Sequence, residues 1–419
     1  MIVRRVAVTG LGIVSPYGGG VDDFFAHLMA GRSAVRLLQT DDRPRPLNMP
    51  FVTCEGFDPE PLLGRLLTGT MDRFAHLGVA AAFGAWEDAG LPRQAADPAE
   101  RETWASIWGT ALGGVTVMEK GYREMWQNGR ERLSPLSVVM GMGNAVNAHL
   151  SIQLGLGGIS MSHTVACASS AIAIGEAFRR VRTGEAAVAI TGGSDATLAY
   201  GVAKAWEALR LVAPGDRDSA PMACRPFAAD RAGLVLGEGA AALVLEDWDR
   251  AVARGARIHA EMVGYGASCD RSHLVRPDAE GQARAMRAAL ADARLAPEDI
   301  DGVNAHGTAT VEGDPVEVNA LRQVFGARAA RLPVSATKSM HGHLMGAAGA
   351  IEALATVLSL REQALPPTAH LRGRLDAACE GVDHVFEGRE AVPLRAALSN
   401  SFAFGGSNAV LAFRAAPGH

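Results

Sequence analysis

A cysteine at the head of a small-residue run is the first place where this sequence could do chemistry. His163-Thr164-Val165-Ala166-Cys167-Ala168-Ser169-Ser170 leads into Ala171-Ile172-Ala173-Ile174-Gly175, a pattern that predicts a buried helix carrying Cys167 in its first turn. Unpaired N–H groups and the positive end of the helix macrodipole there favour a thiolate, the nucleophilic form of the side chain. Taken alone, the segment fits a packing cysteine better. A catalytic cysteine is identified by partners elsewhere in the chain.

Three further loops each end an apolar stretch in chemically capable residues. One is Val303-Asn304-Ala305-His306-Gly307-Thr308-Ala309-Thr310. The second runs Ser335-Ala336-Thr337-Lys338-Ser339-Met340-His341-Gly342-His343 and continues into Gly346-Ala347-Ala348-Gly349-Ala350-Ile351-Glu352. The third is Ser399-Asn400-Ser401-Phe402-Ala403-Phe404-Gly405-Gly406-Ser407-Asn408. Sites in open α/β sheets form beyond the carboxyl ends of strands, so the four loops are expected to converge on one pocket. His341 and His343, two apart, could both ligate a metal from a strand. No third ligand stands at a suitable spacing, and no metal is expected.

The elements that must position these loops follow from periodicity and breakers. Arg5 to Gly12 alternates as a strand and ends in Gly10-x-Gly12. With Ser15-Pro16 where a third glycine would stand, this is a weak dinucleotide signal. Met71 to Gly90 reads as a helix, Trp104 to Thr110 as a strand, and Ala186 to Thr191 as a strand buried on both faces. A second series begins near Arg257: strand Ile258 to Gly264, helix Gly281 to Ala293, strand Gly302 to Ala305 and helix Pro315 to Phe325. Strand Leu332 to Ala336, helix Ala347 to Leu360 and a closing strand Val410 to Phe413 complete it. The similar order predicts a pseudo-repeat of two βα halves, residues 1–255 and 256–419, joined near Gly255.

The ordered motifs resemble those of the β-ketoacyl-acyl-carrier-protein synthases, thiolase-like condensing enzymes, and most closely the elongating branch. The likeness rests on the Cys167 segment, N-A-H-G-T at 304–308, T-K-S-M-x-G-H at 337–343, G-A-A-G-A-x-E at 346–352, N-S-F-x-F-G-G at 400–406 and G-E-G-A at 237–240, and covers nearly the whole chain. It implies a five-layered α-β-α-β-α fold and decarboxylative Claisen condensation of an acyl-cysteine with malonyl-carrier, with no dissociable cofactor. By resemblance, Cys167 is the nucleophile, and His306 and His343 bind the extender and promote decarboxylation. Lys338, paired with Glu352, organises the two histidines. The N–H groups of Cys167 and Phe404 form the oxyanion hole, Phe404 is also a gate, and Thr308 and Thr310 hold the pantetheine arm. Leu112, Leu136, Ser137 and Phe404 line the acyl pocket. The implied partners are acyl carrier protein, with its acyl and malonyl thioesters, and a second subunit, either identical or a chain-length-factor homologue.

Four departures from the family pattern concern substrate and partner. Ala403 replaces a usual glycine between the phenylalanines, which is expected to restrict the gate. Ser134-Pro135-Leu136-Ser137 stands where fatty-acid enzymes commonly carry aromatic residues that the opposite subunit contributes. Leu67-Thr68-Gly69-Thr70 precedes Met71 where basic residues are common, and Glu207 occupies another usually basic position. A weakened positive face favours a dedicated pathway carrier, as in type II polyketide or polyene assembly, over a housekeeping one. A chain-length partner without activity of its own is the rival reading, and such partners typically lose the cysteine that is present here.

Composition narrows the field further. At 419 residues with 48% hydrophobic content the chain can bury a large α/β body. A net charge of −5 without a dense Lys/Arg stripe argues against nucleic acid. Five scattered cysteines without a C-x-x-C pair argue against a disulfide framework and fit a reducing cytoplasm. The start, Met1-Ile2-Val3-Arg4-Arg5, reads as neither signal peptide nor span, and no later stretch reaches 18 apolar residues.

Overall fold

The computed structural model describes residues 3–18, 20–41 and 45–417. Met1 and Ile2, the first residues of the N-terminal reading, lie outside them. Eleven strands form one hydrogen-bonded sheet. In chain order they are β1 (Val6–Val14), β2 (Ala105–Gly109), β3 (Ser160–His163), β4 (Val188–Asp195), β5 (Gly239–Asp247), β6 (Ala260–Cys269), β7 (Gly302–Asn304), β8 (Pro333–Ser335), β9 (Asp383–His384), β10 (Ala396–Phe402) and β11 (Ser407–Ala415). Their spatial order is β9-β8-β7-β10-β11-β6-β1-β5-β4-β2-β3. With the two-residue edge strand β9 set aside, the run β3-β2-β4-β5-β1 and the run β8-β7-β10-β11-β6 follow the same rule, third-second-fourth-fifth-first in each half. Directions repeat as well. β2 is parallel to β3 and β4, and β7 is parallel to β8 and β10, while β5 and β11 are antiparallel to both neighbours. The halves meet where Val6, Ala7 and Val8 pair antiparallel with Met262, Glu261 and Ala260.

Helices α1 (Arg73–Asp88) and α2 (Ala145–Leu154) cover the outer face of the first half; α4 (Ala279–Ala293) and α5 (Gly313–Phe325) belong to the outer layer of the second. Between the two sets of strands lie α3 (Ser169–Thr183) and α6 (Ala348–Glu362), and each touches strands of both halves. The result is the five-layered α-β-α-β-α order, the strand ladder wrapping around two shared helices. α6 has no polar face because it has no wet side: every residue from Ala348 to Leu360 is buried, as an all-round apolar helix requires. Ile174, Phe178, Ile351 and Leu354 belong to this central core.

Gly10 and Gly12 have a packing role. A Cβ at either would lie 2.0 Å from a carbonyl oxygen of α1, that of Ala85 or Ala81. Gly264 and Gly266 of β6 meet α4 in the same way, with Ala289 and Ala285 oxygens 2.5 and 2.2 Å from an added Cβ. The G-x-G that superficially resembles a phosphate loop is thus one of a repeated pair that lets α1 and α4 lie close on the first strand of their halves. Boundaries shift modestly elsewhere. α1 begins at Arg73 because Asp72 caps it, accepting from the Phe74 N–H, and β4 runs on to Asp195. Among the described residues no helix is long and apolar enough to cross a membrane.

Candidate active site

Cys167 sits in a strained turn between β3 and α3. Ala166 just before it has φ 45°, a left-handed conformation that a non-glycine residue adopts only when its surroundings enforce it. Ser169 supplies that enforcement. Its Oγ accepts from the Val165 N–H at 2.8 Å and donates to the Ala166 carbonyl at 2.7 Å. The helix starts at Ser169 with Ala168 as its cap, so Cys167 lies immediately ahead of the helix rather than in its first turn. The expected lowering of the thiol pKa does not occur. Burial pushes it up to about 11, outweighing the downward pull of the Lys338 charge and of the Phe404 N–H. The resting group is a thiol that needs a base.

A group able to serve as that base is in contact with the thiol. His343 Nε2 lies 3.0 Å from Cys167 Sγ. The His343 backbone is fixed on both sides, its N–H donating to Val235 at 2.7 Å and its carbonyl accepting from Gly237 at 3.0 Å, which is how the G-E-G-A segment serves the site. His306 faces His343 with ring centroids 5.5 Å apart at 88°. Both histidines are held well below the ordinary imidazole pKa, first by burial and then by the Lys338 charge. At neutral pH they are uncharged.

Lys338 is completely buried and forms a direct ion pair with Glu352, equally buried on α6. Its Nζ also donates to the His306 carbonyl at 2.7 Å and lies 3.3 Å from His306 Nδ1. Burial raises the Glu352 carboxyl to about 7 against the lowering effect of Lys338. A buried pair of this kind contributes little net stability, but breaking it leaves an uncompensated charge. Its use here is geometric.

The loop after His306 is shaped by two acidic residues of α5 that the sequence reading did not assign a role. Glu317 accepts the N–H groups of His306 and Gly307, both at 2.8 Å, and the Asn400 amide at 3.2 Å. Asp314 accepts from Phe227 at 2.7 Å and Thr308 at 3.2 Å. Burial raises the pKa of both carboxyls, that of Asp314 to about 7. The signal was available as two carboxylates three apart on a helix that follows a histidine loop. Asp195, at the end of β4, was also missed. It accepts from Thr110 Oγ1 and the N–H groups of Ala111, Leu112 and Gly346, tying the β2 loop to the start of α6.

A cavity of about 340 Å³ opens onto these groups, its wall including Cys167, His306, His343, Thr308, Thr310 and Phe404. The Thr308 and Thr310 hydroxyls are 3.1 Å apart. Buried Arg231 fixes their loop by donating to the carbonyls of Thr310 and Val311 at 3.0 and 2.7 Å. Trp206 stacks on Phe404 at 5.7 Å and 23°, another residue that sequence reasoning passed over. Leu112, Leu136 and Ser137 do not line the cavity within this chain. Leu136 is exposed on the surface.

Ala403 adopts an extended conformation (φ −113°, ψ 153°), so this position does not need glycine. Gly405 and Gly406, at φ 82° and 74°, do. Glu207 is ion-paired with Lys204 at 2.8 Å. His341 points away from the cavity to Thr337 and Gly342. The ligand atoms of Cys167, His306 and His343 nevertheless all lie within 4.8 Å of one another, a three-donor set that sequence spacing did not reveal.

A buried thiol touched by a neutral imidazole, beside a second imidazole held by a buried lysine, is an arrangement able to carry out thiol-dependent acyl transfer, here on a thiolase-like fold. The chain belongs to the β-ketoacyl synthase family, matching its N-terminal domain over residues 3–251 and its C-terminal domain over residues 259–372. It is 41% identical to Nodulation protein E of Rhizobium sp. (strain N33), over 98% of this chain and 99% of that one. It is 38% identical to 3-oxoacyl-[acyl-carrier-protein] synthase 2 of Synechocystis sp. (strain ATCC 27184 / PCC 6803 / Kazusa), over 98% of each. Among solved structures, the ishigamide ketosynthase/chain length factor superposes with a TM-score of 0.90 at 33% identity, over 99% of this chain and 100% of that one.

Proposed function

We propose that this chain is an elongating β-ketoacyl-acyl-carrier-protein synthase, an acyltransferase that forms a carbon–carbon bond by decarboxylative condensation. The observation that carries this reading is the 3.0 Å approach of His343 Nε2 to Cys167 Sγ beside a histidine fixed by Lys338. Sγ attacks the carbonyl of an acyl-carrier thioester. As the C–S bond forms, the thiol proton moves through His343 Nε2 to the departing pantetheine sulfur. The malonyl thioester then enters along Thr308 and Thr310. Loss of its carboxylate as CO₂ leaves an enolate, whose oxygen receives hydrogen bonds from His306 and from His343, the latter once its ring hydrogen has moved from Nδ1 to the Nε2 freed by acylation of Cys167. The enolate carbon attacks the acyl-cysteine carbonyl, whose oxygen is held by the N–H groups of Cys167 and Phe404. Collapse expels the Cys167 sulfur, which takes up one proton from solvent.

The repeated strand order supports two halves, 1–255 and 256–419. Five cysteines free of disulfides support a cytoplasmic site of action. The four-residue edge strand β3 and exposed Leu136, Val138, Val139 and Met142 support a second subunit beside the site, identical or a chain-length factor. The resemblance to the ishigamide ketosynthase/chain length factor and the uncharged 67–70 segment favour a dedicated carrier.

The test is incubation of the protein with acyl- and malonyl-carrier and mass spectrometry of the carrier arm. A β-ketoacyl product two carbons longer, abolished by alkylation of Cys167, is expected; full activity after complete alkylation would refute the assignment. Equal or better rates with a fatty-acid carrier than with one from the protein's own gene neighbourhood would count against the dedicated carrier.

A further inference from the structure

The mouth of the cavity carries two arginines that nothing in the reaction above uses. Arg210 is the residue that ends the helix Tyr200–Leu209, in a left-handed conformation (φ 57°) with its N–H bonded to the Glu207 carbonyl at 3.0 Å. It follows Trp206 by one turn, and both line the cavity. Arg276 enters from the turn after β6. That turn is fastened to the glycine loop, since the Gly405 N–H donates to Leu274 at 2.7 Å and the Asp270 N–H donates to Gly406 at 2.8 Å. Both arginines are exposed. Among the described residues neither guanidinium has an ion pair or a hydrogen-bond partner.

The acidic residues on the same wall leave that charge available. Asp314 and Glu317 are committed to backbone N–H groups, as described above, and Asp270 accepts from Asn408 and from the Asp278 N–H. Glu312 alone is exposed at the rim. Leu274, Val275 and Val311, all exposed apolar side chains, surround the opening and give it the apolar collar of a surface that meets a partner. Elsewhere, two positions where basic residues are usual in the family carry no net positive charge. Residues 67–70 carry no charge, and Glu207 is occupied by Lys204.

We propose that Arg210 and Arg276 are the seat for the phosphodiester of a phosphopantetheine arm whose thioester reaches Cys167, and so a determinant of carrier recognition at the cavity mouth. The inference rests on the condensing reading above. Guanidinium forks suit a phosphate oxygen pair, and a charge-assisted contact at a rim favours the phosphorylated arm over its neutral counterpart.

The experiment compares malonyl thioesters of 4′-phosphopantetheine and of pantetheine, with a fixed acyl donor. Wild type is expected to show a kcat/KM about tenfold higher for the phosphorylated arm. The double variant Arg210→Ala, Arg276→Ala should abolish that preference while leaving the pantetheine arm within about twofold, and the double lysine variant should recover part of it. Calorimetric titration with S-methyl-phosphopantetheine and S-methyl-pantetheine reads the same preference without turnover. No preference in wild type, or an equal loss for both arms in the alanine variant, overturns the proposal. Absence of condensation with every thioester overturns the condensing reading instead, and the calorimetry still decides the arginines.

Discussion

Lys338 and His306 are joined at two points: Nζ donates to the His306 carbonyl at 2.7 Å and stands 3.3 Å from Nδ1. An ammonium has no lone pair to offer, so Nδ1 must be the accepting nitrogen and Nε2 must carry the hydrogen. That places a neutral N–H donor in the cavity, the group an enolate oxygen needs. Removing the lysine removes the constraint on the tautomer.

Lys338→Met should therefore lower malonyl decarboxylation by about 100-fold, the scale of losing an aligned donor. Acylation of Cys167 should change much less. Single-turnover acylation and CO₂ release measured on the same variant separate the two, and a parallel loss of both would sink the tautomer argument.

Glu352→Gln leaves the buried Lys338 charge without its counter-ion. A loss of about 3–5 kcal/mol in stability is expected, read as a fall in denaturant midpoint at unchanged slope. A variant as stable as wild type would show that the ion pair is not needed to hold Lys338.

Burial raises the Cys167 thiol to about 11, so alkylation by iodoacetamide should accelerate about tenfold per pH unit from 7 to 10. A plateau near pH 8.5 would contradict the buried, protonated thiol. Cys167→Gln should be inert to the reagent at this site and still release CO₂ from malonyl-carrier, because that step uses the histidines.

His306, His341 and His343 all have folded-state pKa values below the ordinary 6.5, that of His341 falling to about 3 through burial and the Lys338 charge. Below pH 6.5 the unfolded chain binds protons that the folded chain refuses. Their contribution to stability is thus complete above 6.5 and lost as pH falls. Each should add about 1.4 kcal/mol per pH unit to the slope of unfolding free energy. Urea melts between pH 7.5 and 4.5 test this, and His341→Asn should flatten the slope by about one histidine's share.

Ala403→Gly should cost about 0.4–1 kcal/mol, since the extended backbone at this position suits alanine and glycine only adds freedom to the unfolded chain. It should also speed loading of Cys167 by freeing the Phe404 loop. Thermal melts and acylation rates report the two effects, and slower loading would show that Ala403 does not restrain the gate.

The local pattern of the chain was enough for many elements and for candidates, but it left β5, α2 and the helix Tyr200–Leu209 unassigned. Apolar runs ending in glycine or polar clusters marked many of the strands and helices, and the ordered motifs singled out Cys167, His306, Lys338, His343 and Glu352, because a reactive group and its loop are contiguous in sequence. Contiguity also misled. Gly10-x-Gly12 imitated a phosphate loop until α1 was seen lying on it, and His341-x-His343 imitated a ligand pair although the two rings face different ways.

Tertiary structure alone decided the quantities that depend on surroundings. The Cys167 thiol is raised rather than lowered because desolvation from packed neighbours exceeds what the Lys338 charge and the Phe404 N–H supply. The tautomer of His306 is set by an ammonium from 32 positions away in the chain, and the loop is held by Glu317 and Asp314 from the next helix. Trp206, Arg210 and Arg276 reach one cavity from two separate elements. Sequence fixes which groups exist and which neighbours they have along the chain; dielectric, hydrogen-bond direction and convergence are properties of the groups that folding brings from elsewhere.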